Sequence, residues 1–163
     1  MKLEIGSGGS PTPGYTHLDI EPGDDIEIVA EARTTGLDDN SADEVYARHM
    51  LEHLSCGGAY QALTEWMRTL QQGGRIRIIV PDLQFHLRQL AMPGLSPFFP
   101  PEKNISNRTH AMSSIYGWGQ DRMAHRWGYT AKTLEEVLTE MGFERVARLP
   151  SRECDIDMEA FKP

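Results

Sequence analysis

The stretch Leu3-Glu4-Ile5-Gly6-Ser7-Gly8-Gly9, followed by Leu18-Asp19-Ile20, constrains this chain more than any other. A short apolar run breaks at a glycine-rich turn, and a second short run ends at a carboxylate. Bounded by turn residues, runs of this length read as buried strands. Pro11, Pro13 and Gly14 lie between them, so no helix starts directly after the turn. The dinucleotide fingerprint G-x-G-x-x-G would place its third glycine at position 11, which is Pro11. The helix N-terminus on which a pyrophosphate rests is therefore missing. A strand-end acid at Asp19 is nonetheless placed to accept the hydroxyls of a ribose. The ligand implied is a nucleoside without a phosphate.

S-adenosylmethionine meets that description, with Gly6 and Gly8 approaching its amino-acid part and Asp19 its ribose. Glu4-x-Gly6-x-Gly8 resembles the first motif of the class I S-adenosylmethionine-dependent methyltransferases, with Ser10 at the place of the usual last glycine and Gly9 one residue early. Ser41–Leu54 resembles the fourth strand and following turn of that family, and Gly73–Asp82 its fifth strand. The likeness covers roughly the first half and the last fifth of the chain. It is nearest to short bacterial members of unassigned substrate. The departure is the Pro/Gly linker between the first two strands, where the family has a helix. The resemblance implies a cofactor site of Glu4, Gly6, Ser7, Gly8, Gly9, Asp19, Ile20, Ala30, Glu31, Ala32, Arg48, His49 and Met50, with Glu31 and its neighbours orienting adenine.

The rest of the chain supports a Rossmann-like sheet. Asp25–Ala30 alternates as a third strand, Asp43–Arg48 reads as a fourth and Arg75–Val80 as a fifth. Ala59, Ala62, Leu63, Trp66, Met67 and Leu70 recur on one helical face, which Gly73 and Gly74 close. Thr130 is a fitting N-cap for a helix with Leu134, Val137, Leu138 and Met141 buried. Phe143–Leu149 and Asp155–Phe161 form a terminal hairpin. Strands alternating with helices give an α/β doubly wound, mostly parallel sheet with a C-terminal antiparallel hairpin, in one domain over residues 1–163. In such a sheet ligands bind beyond the strands' carboxyl ends. Gly6, Asp19, Glu31, Arg48-His49 and Pro81-Asp82 converge there.

Between Leu83 and Gly128 the pattern lapses. Pro93, Pro97, Pro100 and Pro101 interrupt it, and Phe98, Phe99, Tyr116, Trp118 and Trp127 make it aromatic. A long irregular segment in a compact domain reads as a lid or binding loop. His110, Tyr116, Trp118 and Trp127 are its candidate substrate contacts, with Arg122 beside them. His125 is the first candidate for a base or substrate anchor, and Asp82, after the fifth strand, the second.

His49-Met50-Leu51-Glu52-His53 also fits the H-x-x-E-H zinc-peptidase signature. His49 follows a strand directly, however, and no downstream glutamate on a clear helix offers a third ligand. That reading is set aside, and no metal site is expected. A different alternative is a non-catalytic module that binds S-adenosylmethionine or S-adenosylhomocysteine and signals to a partner.

A formal net charge of −8 without a basic patch disfavours nucleic acid as a partner. The expected partner is a small or medium-sized acceptor, and nothing indicates an oligomer. Two cysteines without metal or redox spacing, no apolar run of membrane length and no signal peptide give a cytoplasmic expectation.

Overall fold

A computed structural model describes residues 1–119 and 123–163. Seven strands form one sheet: β1 (Lys2–Ile5), β2 (Thr16–Asp19), β3 (Ile28–Val29), β4 (Ala42–Arg48), β5 (Leu70–Pro81), β6 (Glu144–Leu149) and β7 (Asp155–Phe161). Their order is β3-β2-β1-β4-β5-β7-β6. The first five are parallel, and β7 is antiparallel to both β5 and β6. The chain thus winds outward twice from the centre, once through β1–β3 and once from β4 onward. The winding reverses between β1 and β4.

Pairing partners show which side chains share a face. One row runs Leu18, Ile5, Ala47, Ile78, Met158, and beside it lie Leu3, Val45, Ile76 and Ala160. These are all buried, under α1 (Cys56–Thr69) and the Ala131–Glu140 helix, in one cluster with Ala62, Leu63, Trp66, Leu134 and Leu138. The other face carries His17, Glu4, Tyr46, Arg77 and Glu159 in register, next to Glu44 and Arg75. Arg75 meets Glu44 at 2.8 Å and Glu159 at 3.3 Å, and Arg77 grips Asp157 through Nε at 2.9 Å and Nη2 at 2.6 Å. The Tyr15 hydroxyl donates to Glu44, and its ring lies 5.6 Å from that of Tyr46. A largely parallel sheet usually has both faces covered by its crossovers. Here the connections after β1 and β2 are too short to supply helices, as Pro11 and Pro13 foretell, and charge replaces them.

Three sequence expectations need correction. The third strand is two residues long instead of six, because β3 is an exposed edge paired only at Leu18–Ile28 and Asp19–Val29. α1 ends at Thr69, and β5 begins at once with buried Leu70, paired to Ala42 ahead of a register shift; Gly73 turns with φ +73° inside the strand. Most of all, residues 83–128 are more regular than the prolines suggest. They contain α2 (Leu83–Gln89), a 3-10 turn at Pro101–Lys103 and α3 (Asn107–Tyr116), so the Ala131–Glu140 helix is α4. Asp82 caps α2 and Ser106 caps α3. α4 starts with the predicted Thr130 cap, in a reciprocal pair with Thr133.

Candidate active site

The carboxyl ends of β1, β2 and β4 form the first half of the site. Gly6 and Gly8 adopt φ of +71° and +53°, a backbone that favours glycine. The Gly6 N–H donates to Leu18 O at 2.8 Å, and the Gly8 N–H donates to Asp19 Oδ2 at 2.9 Å. Asp19 Oδ1 accepts from the Glu21 N–H at 3.0 Å. Turn and acid are therefore one unit, and each carboxylate oxygen keeps a lone pair for another donor. The Ser7 hydroxyl is buried without a hydrogen-bond partner among the described residues. A ligand group at this turn would satisfy it.

Not every predicted cofactor residue faces that space. Glu4 is 1% exposed and accepts from Thr12 N–H and Oγ1, so it anchors the connection to β2. Arg48 donates to Ser10 O at 2.8 Å, pinning the far side of the turn. Met50 packs on Gly6, where a Cβ would fall 2.2 Å from Met50 Cγ. Ile20 is exposed beyond β2; Glu31 pairs with Arg33, and Ala32 O accepts from the Trp66 indole. Ala30 N–H donates to Asp19 O, joining the ends of β2 and β3. His49 takes φ +50° as the chain leaves β4, with Nδ1 3.4 Å from Glu52 Oε1 and Nε2 3.9 Å from Asp155 Oδ1. Burial works against its charged form, but the two carboxylates outweigh that and hold its pKa above the ordinary value.

The second half is a cleft of about 260 Å³ past the ends of β4 and β5. Glu52, Tyr116, His125, Arg126 and Trp127 line it. Arg126 and Trp127 N–H groups donate to Glu52 O at 2.8 and 3.2 Å, which ties the late loop to the turn after β4. His125 Nδ1 lies 2.7 Å from Ser114 O. Burial lowers its pKa, with the His53 and His49 charges acting the same way against Glu52, and so favours the neutral ring. His125, Tyr116 and Trp127 thus stand together as the sequence suggests.

His110 and Trp118 do not line that cleft. His110 is buried, and its Nδ1 faces Ser96 Oγ at 2.8 Å and Gln89 Nε2 at 3.0 Å. Phe98, Phe99 and Trp118 surround it, so it is the centre of a small second core. Asp82 is also corrected. Its Oδ1 caps α2, accepting from Gln84 and Phe85, and its Oδ2 faces Arg148 at 3.6 Å. A carboxylate so engaged is a helix cap, not a base. Arg122 lies outside the described residues. The residue underrated in the sequence is Glu52, which the H-x-x-E-H signature alone could have flagged.

A family model described as a methyltransferase domain matches residues 15–78. Among solved structures, the chain is similar to a Thermotoga maritima S-adenosylmethionine-dependent methyltransferase described as a possible histamine N-methyltransferase. The TM-score is 0.66 at 15% identity, over 99% of this chain and 82% of that one. The chain thus carries a methyltransferase-domain match over residues 15–78 and has the fold of S-adenosylmethionine-dependent methyltransferases. Proteins of more than twice its length share the fold. The CurJ carbon methyltransferase matches with TM-score 0.61 and 17% identity, over 98% of this chain and 47% of its own. Human N-acetylserotonin methyltransferase, solved with S-adenosylmethionine, matches with TM-score 0.62 and 14% identity, over 99% of this chain and 47% of its own. The chain thus spans about half the length of these two proteins. A search of curated proteins finds no match. No helix among the described residues is long and apolar enough to cross a membrane.

Proposed function

We propose that the chain transfers the methyl group of S-adenosylmethionine to a small or medium-sized acceptor. The observation carrying this reading is the coupling of the glycine turn to Asp19, through the 2.9 Å bond from Gly8 N–H, beside a cleft at the β4 and β5 ends. Bound there, the cofactor supplies an electrophilic methyl carbon on a sulfonium. The chain's own tasks are to hold and align, since an in-line displacement gains most from positioning. Asp19 accepts the ribose hydroxyls, and the Ser7 hydroxyl and turn amides meet the amino-acid part. Met50 bridges the two halves, touching Gly6 and lying two residues before Glu52. Tyr116 and Trp127 flank the acceptor, and neutral His125 is available to take the acceptor's proton as the new bond to the methyl carbon forms.

Calorimetric titration with S-adenosylmethionine and S-adenosylhomocysteine tests the reading. Wild type should bind both, and Asp19→Ala should bind more weakly by about 1.5–3 kcal/mol, the loss of hydrogen bonds to a charged group. Equal affinity in the variant removes Asp19 from the site. No binding to the wild type sinks the reading.

A further inference from the structure

Glu52 is 2% exposed, and neither of its carboxylate oxygens has a hydrogen-bond partner among the described residues. The nearest cationic group is His49, whose Nδ1 at 3.4 Å from Oε1 is beyond normal hydrogen-bond length. One long ion contact with no hydrogen bond leaves a buried carboxylate under-compensated, and proteins complete such groups by closer pairing or by metal coordination. Two imidazoles stand beside it. One ligand atom each from Glu52, His53 and His125 lie within 4.8 Å of one another.

The two rings are prepared for coordination. His53 Nδ1 lies 3.2 Å from Ala124 O, and His125 Nδ1 lies 2.7 Å from Ser114 O. A carbonyl can only accept, so both Nδ1 atoms carry the proton. In the neutral rings both Nε2 atoms then present lone pairs. A backbone carbonyl on one ring nitrogen is the outer shell that fixes a metal-binding histidine. The segments carrying the ligands are joined by the Arg126 and Trp127 N–H bonds to Glu52 O.

We propose that Glu52, His53 and His125 bind one divalent transition-metal ion of the zinc class. Two imidazoles and a carboxylate are a donor set of catalytic zinc sites, which keep a further position open. Ligand atoms around zinc at bonds of 2.0–2.1 Å lie about 3.3 Å apart, so side-chain torsions must draw this group inward. Glu52 and His125 line the cleft, so the open position faces it. The pairing differs from the H-x-x-E-H pattern of the sequence: His49 lies between Glu52 and Asp155, outside the ligand group, and the second imidazole comes from the late loop. If the cleft is the acceptor site, which rests on the methyl-transfer reading, an acceptor oxygen would complete the coordination and lose its proton more readily to water in the cleft, with metal-bound His125 acting as a ligand in place of the base role given to the metal-free ring.

The test is zinc titration of the chelator-treated full chain by calorimetry, with no cofactor present. Wild type should bind one ion per chain, and Glu52→Gln and His125→Ala should bind more than about a hundredfold more weakly. Circular dichroism identifies the variants that keep the fold, and His53→Gln replaces any that does not. Cobalt(II) on wild type should give ligand-field bands without a thiolate charge-transfer band, which excludes Cys56 and Cys154. Folded wild type that binds no zinc, folded variants that bind like wild type, or a thiolate band each overturn the site. Zinc binding without cofactor binding would leave the metal site standing and remove the methyl-transfer reading instead.

Discussion

Single residues decide whether the site holds its shape, and Gly6 is the clearest case. A side chain there meets both the φ of +71° and the Met50 side chain. Gly6→Ala should cost about 1–3 kcal/mol in urea unfolding, as overpacking does. Adding Met50→Ala should remove the Cγ contact but leave Met50 Cβ at 2.8 Å, so it should recover only part of the loss. A second residue, His110, makes stability depend on pH. Burial, with the His86 charge beside it, pushes its pKa down to about 4. Between that value and about 6.5 the unfolded chain binds a proton that the folded chain does not, so stability rises with pH across this window and is lost as the pH falls through it. A depression of that size is worth about 3 kcal/mol when the acid limb is complete. Unfolding followed by tryptophan fluorescence from pH 4 to 7 should show the slope, and His110→Asn should reduce it. Persistence of the full slope in that variant would assign it elsewhere.

Elements form where local chemistry and packing agree, and this explains what the sequence discloses. β1, β2, β4, α1, α4 and the hairpin all carry apolar residues at the period of their structure. α3 does not. It buries Asn107, His110 and Ala111, a helical i, i+3, i+4 face made mostly of polar groups. A search for apolar periodicity is blind to such a face, and its core of hydrogen bonds and rings exists only once α2, α3 and Phe98–Phe99 meet. The glycine turn and the strand-end acid of the proposed cofactor side were legible because both are local. The Glu52–His125 relation was not, since those residues are brought together by the fold across a long loop. Asp82 shows the reverse error, an acid at the right sheet edge that serves a helix. Asp82→Ala should destabilise by about 0.5–2 kcal/mol, whereas Asp82→Asn, still able to cap, should melt closer to wild type. Equal melting temperatures for the two variants would mean that the cap is not what Asp82 contributes.

At the scale of the whole molecule, the sheet has one greasy face under two helices and one face of charged and polar side chains that largely bury one another. Asp157 is 3% exposed at its side chain while Arg77 is 33% exposed, so the pair is only partly desolvated. Arg77→Ala would leave Asp157 buried without its partner, and a loss of about 1–3 kcal/mol is expected, less than for a fully buried pair. Urea unfolding checks it, and Asp157→Leu added to Arg77→Ala should recover part of the loss. The two-faced sheet also guards against misalignment. Because side chains alternate, a one-residue slip of β4 against its neighbours would thrust Glu44 and Tyr46 beneath Trp66 and turn Val45 and Ala47 onto the charged face. Each wrong pairing would thus be penalised on both sides of the sheet at once. The charged face acts as a proofreader, rejecting mispaired strands.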